Sequence, residues 1–182
     1  MKNVQYHGLN FEPYIVKEKI EARIKEIAKE VQKDCPEGTV PLIVCVLNGA
    51  FPFAADLFRA LDIDAEITFI RLKSYEGTGS TGVVKEIVGL SEDIKGRHVV
   101  VVEDIIDTGH TIVRLLDDLK KREPAQLKVA TLLFKPEALK AKVEPDYVGF
   151  SIPPKFIIGF GLDLDGLARN LEDIYVIKEH AE

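Results

Sequence analysis

VVVVEDIIDTGHT, running from Val99 to Thr111, is the stretch whose reading decides the fold. Four consecutive valines have the near-continuous apolar character of a strand buried on both faces, as strands of a parallel sheet are. The chain then turns through Thr108 and Gly109 into HTIVRLLDDLKKR, where Ile112, Leu115, Leu116 and Leu119 recur at helical spacing. A strand, a glycine turn and a helix N-terminus together make a phosphate cradle. The first helical N–H groups have no acceptor inside the helix, and glycine lets the backbone come close to a ligand. The hydroxyls of Thr108 and Thr111 add donors. No G-x-x-x-x-G-K-S/T loop is present. D-T-G alone reads better as a plain capped turn. Glu103 and Asp104 change that weighing, because two acids closing a four-valine strand suit a ligand with hydroxyl donors beside its phosphate. Ribose 5-phosphate is such a ligand: its cis-diol can donate to two carboxylates while the phosphate sits further along the turn.

Outward from this stretch the pattern repeats. PLIVCVL (Pro41–Leu47) is a second buried strand, broken by Asn48-Gly49, and AFPFAADLFRAL is a helix with Pro52 in its first turn. DAEITFIRL alternates as a strand, VVKEIVGL is a further candidate, and LKVATLLF leads to Lys135. Shorter strands are expected at Asp146–Phe150, Phe156–Phe160 and Ile174–Ile177, with IIDTG as a loop. Pro13 to Lys33 reads as an amphipathic helix carrying Ile20, Ile24, Ile27 and Val31. Strands alternating with helices predict an α/β fold with a mainly parallel central sheet flanked by helices. Ligands bind such sheets at the carboxyl ends of the strands, where Glu103–Thr111, Asn48-Gly49 and Lys135 all fall. The expected organisation is one domain, a core over about residues 35–150 and a small hood lobe from the N-terminal segment and about 151–182.

The 182 residues are 46% hydrophobic and 30% charged, enough for one full hydrophobic core. No apolar run reaches the roughly 18 residues that span a bilayer. The first residues, MKNVQYHGLNFEP, lack the apolar centre of a signal peptide, so a cytoplasmic location is expected. Cys35 and Cys45 have neither metal spacing nor a partner motif, and Cys45 inside PLIVCVL reads as a small buried hydrophobe. A net charge of −6 argues against non-specific nucleic-acid binding.

VVEDIIDTGHT resembles the phosphoribosyl diphosphate (PRPP) motif of type I phosphoribosyltransferases, and most closely that of the hypoxanthine–guanine phosphoribosyltransferase family. CVLNGAFPFAADL, FIRLKSYEGTGSTG, LLFKPE and PDYVGFSIPPKFIIGFGLDLDGLARNL follow in the family's order and spacing. The resemblance implies the type I phosphoribosyltransferase fold with a flexible active-site loop. It implies attack of a purine nitrogen on C1 of PRPP, with Mg²⁺ as cofactor and pyrophosphate leaving early. It assigns Glu103 and Asp104 to the ribose hydroxyls, with a share in holding the metal, and Asp107, Thr108, Gly109, His110 and Thr111 to the 5′-phosphate. Asp107 becomes the general base or acid at the purine N7, a role that suits a carboxylate whose pKa is raised toward neutrality.

Lys135, otherwise read as an exposed lysine, would donate to the exocyclic oxygen of a 6-oxopurine. Lysine is a donor only, which favours hypoxanthine or guanine over adenine. Phe156, otherwise a core aromatic, would stack on the purine, and Ile157 would offer main-chain groups to its edge. Asp163 would help place Mg²⁺; D-L-D-G lacks the pattern of a calcium-binding loop. Arg169, otherwise a surface arginine, would pair with pyrophosphate. Asn48 and Gly49 stand where the family bends its backbone around pyrophosphate, often through a non-proline cis bond. The family often carries a basic residue in place of Asn48, and often lysine in place of His110. Ser74 and Tyr75 open a glycine-rich segment ending at Gly82, expected to close as a lid that keeps water from the reacting centre. His7, His98 and His180 are read as structural or surface residues.

The resemblance leaves two other readings. A PRPP-binding regulatory protein of the same fold would keep the PRPP motif but could lose the purine and metal residues, and would add a basic patch or a helix-turn-helix. Lys135, Phe156, Asp163 and the acidic balance favour the enzyme. A phosphoribosyltransferase for another base (xanthine, adenine or uracil) is opposed by Lys135 and the PPKF segment. The expected partners are a purine base and PRPP, with no nucleic acid or membrane, and a homodimer or homotetramer is usual in the family.

Overall fold

The computed structural model describes residues 2–74 and 84–178. Its elements in chain order are β1 (Val4–Tyr6), β2 (Leu9–Ile15), α1 (Lys17–Asp34), β3 (Leu42–Leu47), α2 (Phe51–Ala60), β4 (Glu66–Ser74) and β5 (Val84–Val88). There follow β6 (His98–Ile106), α3 (His110–Lys120), β7 (Gln126–Phe134), a 3₁₀ turn at Pro136–Ala138, β8 (Tyr147–Ser151), β9 (Ile157–Ile158) and β10 (Ile174–Ile177).

The central sheet has the order β5-β4-β3-β6-β7-β8. From β4 to β8 neighbours run parallel, and β5 is antiparallel to β4. The apolar runs sit at its centre. Along β3, Ile43 and Cys45 face one core with Val100 and Val102 of β6; Leu42, Val44 and Val46 face a second with Val99 and Val101. The first core is covered by α1 (Ile20, Ile24, Ile27, Ala28, Val31) and α2 (Phe53, Ala54, Leu57); α3 covers the second through Ile112, Leu115 and Leu119. Burying each such Ile, Leu or Val side chain contributes about 1.5–3 kcal/mol relative to exposure. Cys45 is fully buried, which pushes its thiol up to about 12 and leaves it a packing residue.

A second, antiparallel sheet, β1-β2-β10-β9, forms the hood. Its own small core is Phe11, Ile158, Ala168 and Tyr175. The two lobes are tied where the backbone N–H of Lys17, at the start of α1, donates to Asp173 Oδ1 at 2.8 Å. This carboxylate serves a helix-start donor that has no acceptor within the helix.

Three expectations are corrected. Helix α1 begins at Lys17, not Pro13, because residues 9–15 pair with β1 and β10. Pro13, which cannot donate to a ladder, lies beyond the reach of β1 and opposite Tyr175, where the register of β10 shifts. Ile105 and Ile106 are not loop: they extend β6 by pairing with Leu133 and Phe134. The strand expected over Phe156–Phe160 is only Ile157–Ile158, since Gly159, at φ +98°, turns the chain away.

Candidate active site

Strands β3, β6 and β7 deliver three segments to one end of the sheet. At the end of β3 the Leu47–Asn48 peptide is cis, and Gly49 follows. At the end of β6, residues 103–109 together with Thr111 and Ile112 line a cavity of about 220 Å³. At the end of β7, the N–H of Lys135 donates to Ile106 O at 3.0 Å, which continues the ladder one step beyond Phe134.

Gly109 caps α3 in the left-handed conformation, φ +82°. A β-carbon there would also lie 2.9 Å from Val143 and 3.2 Å from Leu139. The carbonyl of Thr108 accepts from the N–H groups of Lys140 and Ala141 at 3.0 and 3.1 Å, so the segment after β7 backs the turn. His110 and Thr111, exposed, open the helix. The N–H groups of its first turn lack intrahelical acceptors, which makes this turn an anion site.

The two adjacent acids are held differently. Glu103 Oε2 is buried and has no hydrogen-bond partner among the described residues. Burial, then the negative charge of Asp104, holds its carboxyl well above the usual carboxylate range. Asp104 is pushed up to about 6, chiefly by burial and further by Asp163; the Ile105 N–H bond to Oδ1 (2.7 Å) and the charge of Arg169 act against this. Glu103 is short of a donor, as a group awaiting a hydroxyl or a cation would be.

Lys135 is buried, 8% exposed, and its ammonium donates to Asp107 Oδ2 at 3.0 Å. Its sequence reading as an exposed lysine is therefore set aside. Phe156 is not a core residue either: it is 44% exposed, its ring tilted at 47° against buried Phe11 with centroids 6.1 Å apart. Ile157 is buried beside it in register with Val176.

On the hood side, Arg169 is half-buried and doubly engaged. Nη2 pairs with Asp163 Oδ1 at 2.8 Å, and Nη1 donates to Gly161 O at 2.6 Å. Asp163 Oδ2 accepts from the N–H of Gly166 at 2.7 Å. Gly161 escaped the sequence reading. A β-carbon there would lie 2.0 Å from Gly49 O, so the hood rests its backbone on the turn after β3. The G-F-G spacing in IIGFGLD is the only sequence signal for it. Ser74 closes β4, whereas Tyr75 and the lid segment to Gly82 lie outside the described residues, as does His180. His98 bonds Gln126 at 3.1 Å at the opposite end of β6, and His7 faces Asp165 at 3.8 Å.

Among the described residues no group of three or more His, Cys, Asp or Glu side chains forms a metal cage. The acids present fit a hard cation that arrives with a polyphosphate, because magnesium takes one or two carboxylates and completes its shell with phosphate and water. The partnerless Glu103 oxygen and the proximity of Asp163 and Asp104 accord with that. No described helix is long and apolar enough to cross a membrane.

Comparison with known proteins gives the same picture. The phosphoribosyl transferase domain family matches residues 15–165. A hypoxanthine-guanine phosphoribosyltransferase of Streptococcus pneumoniae is 45% identical over 156 residues, 85% of this chain and 86% of that protein. A crystal structure of a hypoxanthine-guanine phosphoribosyltransferase from Bacillus anthracis, with a HEPES molecule in its active site, superposes with TM-score 0.86 at 40% identity, covering 92% of this chain and 97% of that one. A hypoxanthine phosphoribosyltransferase from Staphylococcus aureus gives TM-score 0.87 at 37% identity, over 92% and 91%.

Proposed function

Since the chain belongs to the phosphoribosyltransferase family, we propose that it salvages purines by transferring the 5-phosphoribosyl group of PRPP to a 6-oxopurine, hypoxanthine and guanine, releasing pyrophosphate. The observation that carries the choice of base is the Lys135–Asp107 pair. A donor and an acceptor 3.0 Å apart match the adjacent O6 and N7–H of a 6-oxopurine. Adenine would bring an amino group to the ammonium, leaving two donors face to face. Phe156 supplies a ring for stacking, and the main chain at Ile157 an edge contact.

In the proposed reaction the 5′-phosphate lies in the turn from Asp107 to Thr111, and the ribose hydroxyls donate to Glu103 and Asp104. N9 of the base attacks C1 as the bond to the pyrophosphate oxygen breaks. The positive charge passed to the purine is relieved when N7 gives its proton to Asp107. Asn48, Gly49, Ser74, Tyr75 and Arg169 hold pyrophosphate through backbone and side-chain groups. Asp163, with Glu103 and Asp104, would hold Mg²⁺, which neutralises the charge of the departing pyrophosphate. Arg169 then exchanges Asp163 for a phosphate oxygen. The protein works as a cytoplasmic homo-oligomer.

A base panel tests this reading: hypoxanthine, guanine, xanthine, adenine and uracil, each with PRPP and Mg²⁺, following nucleotide formation. Turnover confined to the 6-oxopurines is expected. Turnover with no base would point to the PRPP-binding regulator, and equal turnover with adenine would remove Lys135 from base selection.

A further inference from the structure

We propose that Gly49 is a positioning residue for Asp104: its missing side chain makes the seat on which the ribose-binding carboxylate rests. The inference builds on the ribose role assigned to Asp104 above. It goes beyond that role by giving a residue of the pyrophosphate turn a hand in holding the sugar.

The geometry is specific. A β-carbon at Gly49 would fall 1.5 Å from Asp104 Oδ2 and 2.5 Å from Cγ. Gly49 does not have the positive φ that favours glycine, so the turn itself would accept alanine. The Asp104 carboxylate is what excludes it. The two oxygens of that carboxylate are thus fixed from two strands. Oδ1 is bound by the Ile105 N–H of β6 at 2.7 Å, and Oδ2 lies against the turn that follows β3. A carboxylate located in this way keeps its orientation before any ligand arrives, which lowers the ordering cost of binding. The turn is itself backed by Gly161, whose absent β-carbon would meet Gly49 O at 2.0 Å.

A nucleoside monophosphate carries ribose hydroxyls but no pyrophosphate, so it separates the two roles of Gly49. The experiment measures calorimetric affinities of inosine monophosphate and its 2′,3′-dideoxy analogue, without Mg²⁺, for the parent, Gly49→Ala, Asp104→Ala and the double variant. The parent is expected to favour the hydroxyl-bearing nucleotide by about tenfold or more, the worth of a charge-assisted hydrogen bond. Gly49→Ala should erase most of that preference and leave the dideoxy affinity within about twofold. In the Asp104→Ala background only the β-carbon of residue 104 remains near the added methyl group, at 3.3 Å, so Gly49→Ala should change affinity and melting temperature much less than it does in the parent. A melting temperature lowered by Gly49→Ala and restored in the double variant supports the same contact even if the single variant folds poorly. A Gly49→Ala protein that keeps the full preference, or a penalty from Gly49→Ala that is undiminished without Asp104, overturns the inference. A parent with no preference overturns the ribose role of Asp104 and this inference with it.

Discussion

The ammonium of Lys135 donates to Asp107 Oδ2 across 3.0 Å, with the lysine side chain 10% exposed and the aspartate side chain 48% exposed. The cation lies beneath and the acid at the surface of the cleft. On the proposed reading a base inserts its O6 and N7 edge into this pair, which would put selection and proton transfer at one contact.

Lys135→Met removes the donor and keeps the stem. The apparent KM for hypoxanthine should rise about 30-fold or more, as expected for losing a charged hydrogen bond worth about 2–3 kcal/mol. The KM for PRPP should stay near the parent value. Steady-state kinetics with each substrate varied in turn check this, and an equal rise for PRPP would contradict it.

Asp107→Asn keeps the shape and removes the proton acceptor. Turnover should fall about 10²–10⁴-fold, the range for a positioned general base. Binding of PRPP, measured by calorimetry, should weaken far less. Unchanged turnover would take Asp107 out of the proton transfer.

Asp104 makes stability depend on pH in a defined direction. Its carboxyl is raised from 3.8 to about 6 in the folded protein, so the native state holds a proton that the unfolded chain releases. Unfolding therefore becomes easier as pH rises from about 4 through 6, and the penalty is complete above that. Asp104→Asn should be more stable than the parent at pH 8, by an amount of order 1–3 kcal/mol, and the gain should vanish near pH 4. Urea midpoints in Mg-free buffer report it; a gain that grows at low pH would show the sign to be wrong.

Arg23 serves the scaffold alone. Its guanidinium donates to Val148 O at 2.8 Å, on the edge strand β8, and bonds Glu26 and Glu30 at 2.9 and 2.8 Å on its own helix. Arg23→Ala should cost about 1–2 kcal/mol by leaving edge carbonyls without this donor. Turnover at 25 °C should not change. A lowered kcat in a fully folded variant would argue for a link to the site.

What was legible in the sequence was local. The valine run of β6, the D-T-G turn and the face of α3 lie within 23 consecutive positions, His98 to Lys120, so one reading frame displayed strand, cradle and helix together. The N-terminal half of the hood was illegible, whereas its strand at Ile174–Ile177 was read with the right bounds. Residues 11–15 pair with 174–177, and neither the proline at 13 nor the glutamate at 12 signals a strand by itself. Ile105 and Ile106 looked like loop because the acids before them seemed to end the strand, yet pairing with β7 carries the strand past them. The burial of Lys135 and the contact of Gly49 with Asp104 depend on the register of three strands, which no window of sequence contains.

The hood's strand order has a consequence for how the protein comes into being. The turn at Asp107–Thr111, the acids Glu103 and Asp104, and Lys135 lie between residues 42 and 151, the span of the six-stranded sheet. Strand β9, which follows Phe156, pairs among the described strands with β10, and β10 lies between β9 and β2. On the proposed reading, a growing chain would complete the strands that carry the sugar-phosphate site before the strand that holds the stacking ring in place. On the proposed reading the stacking platform, unlike the Lys135–Asp107 pair, is complete only when residues 174–177 join the early strand to the late one.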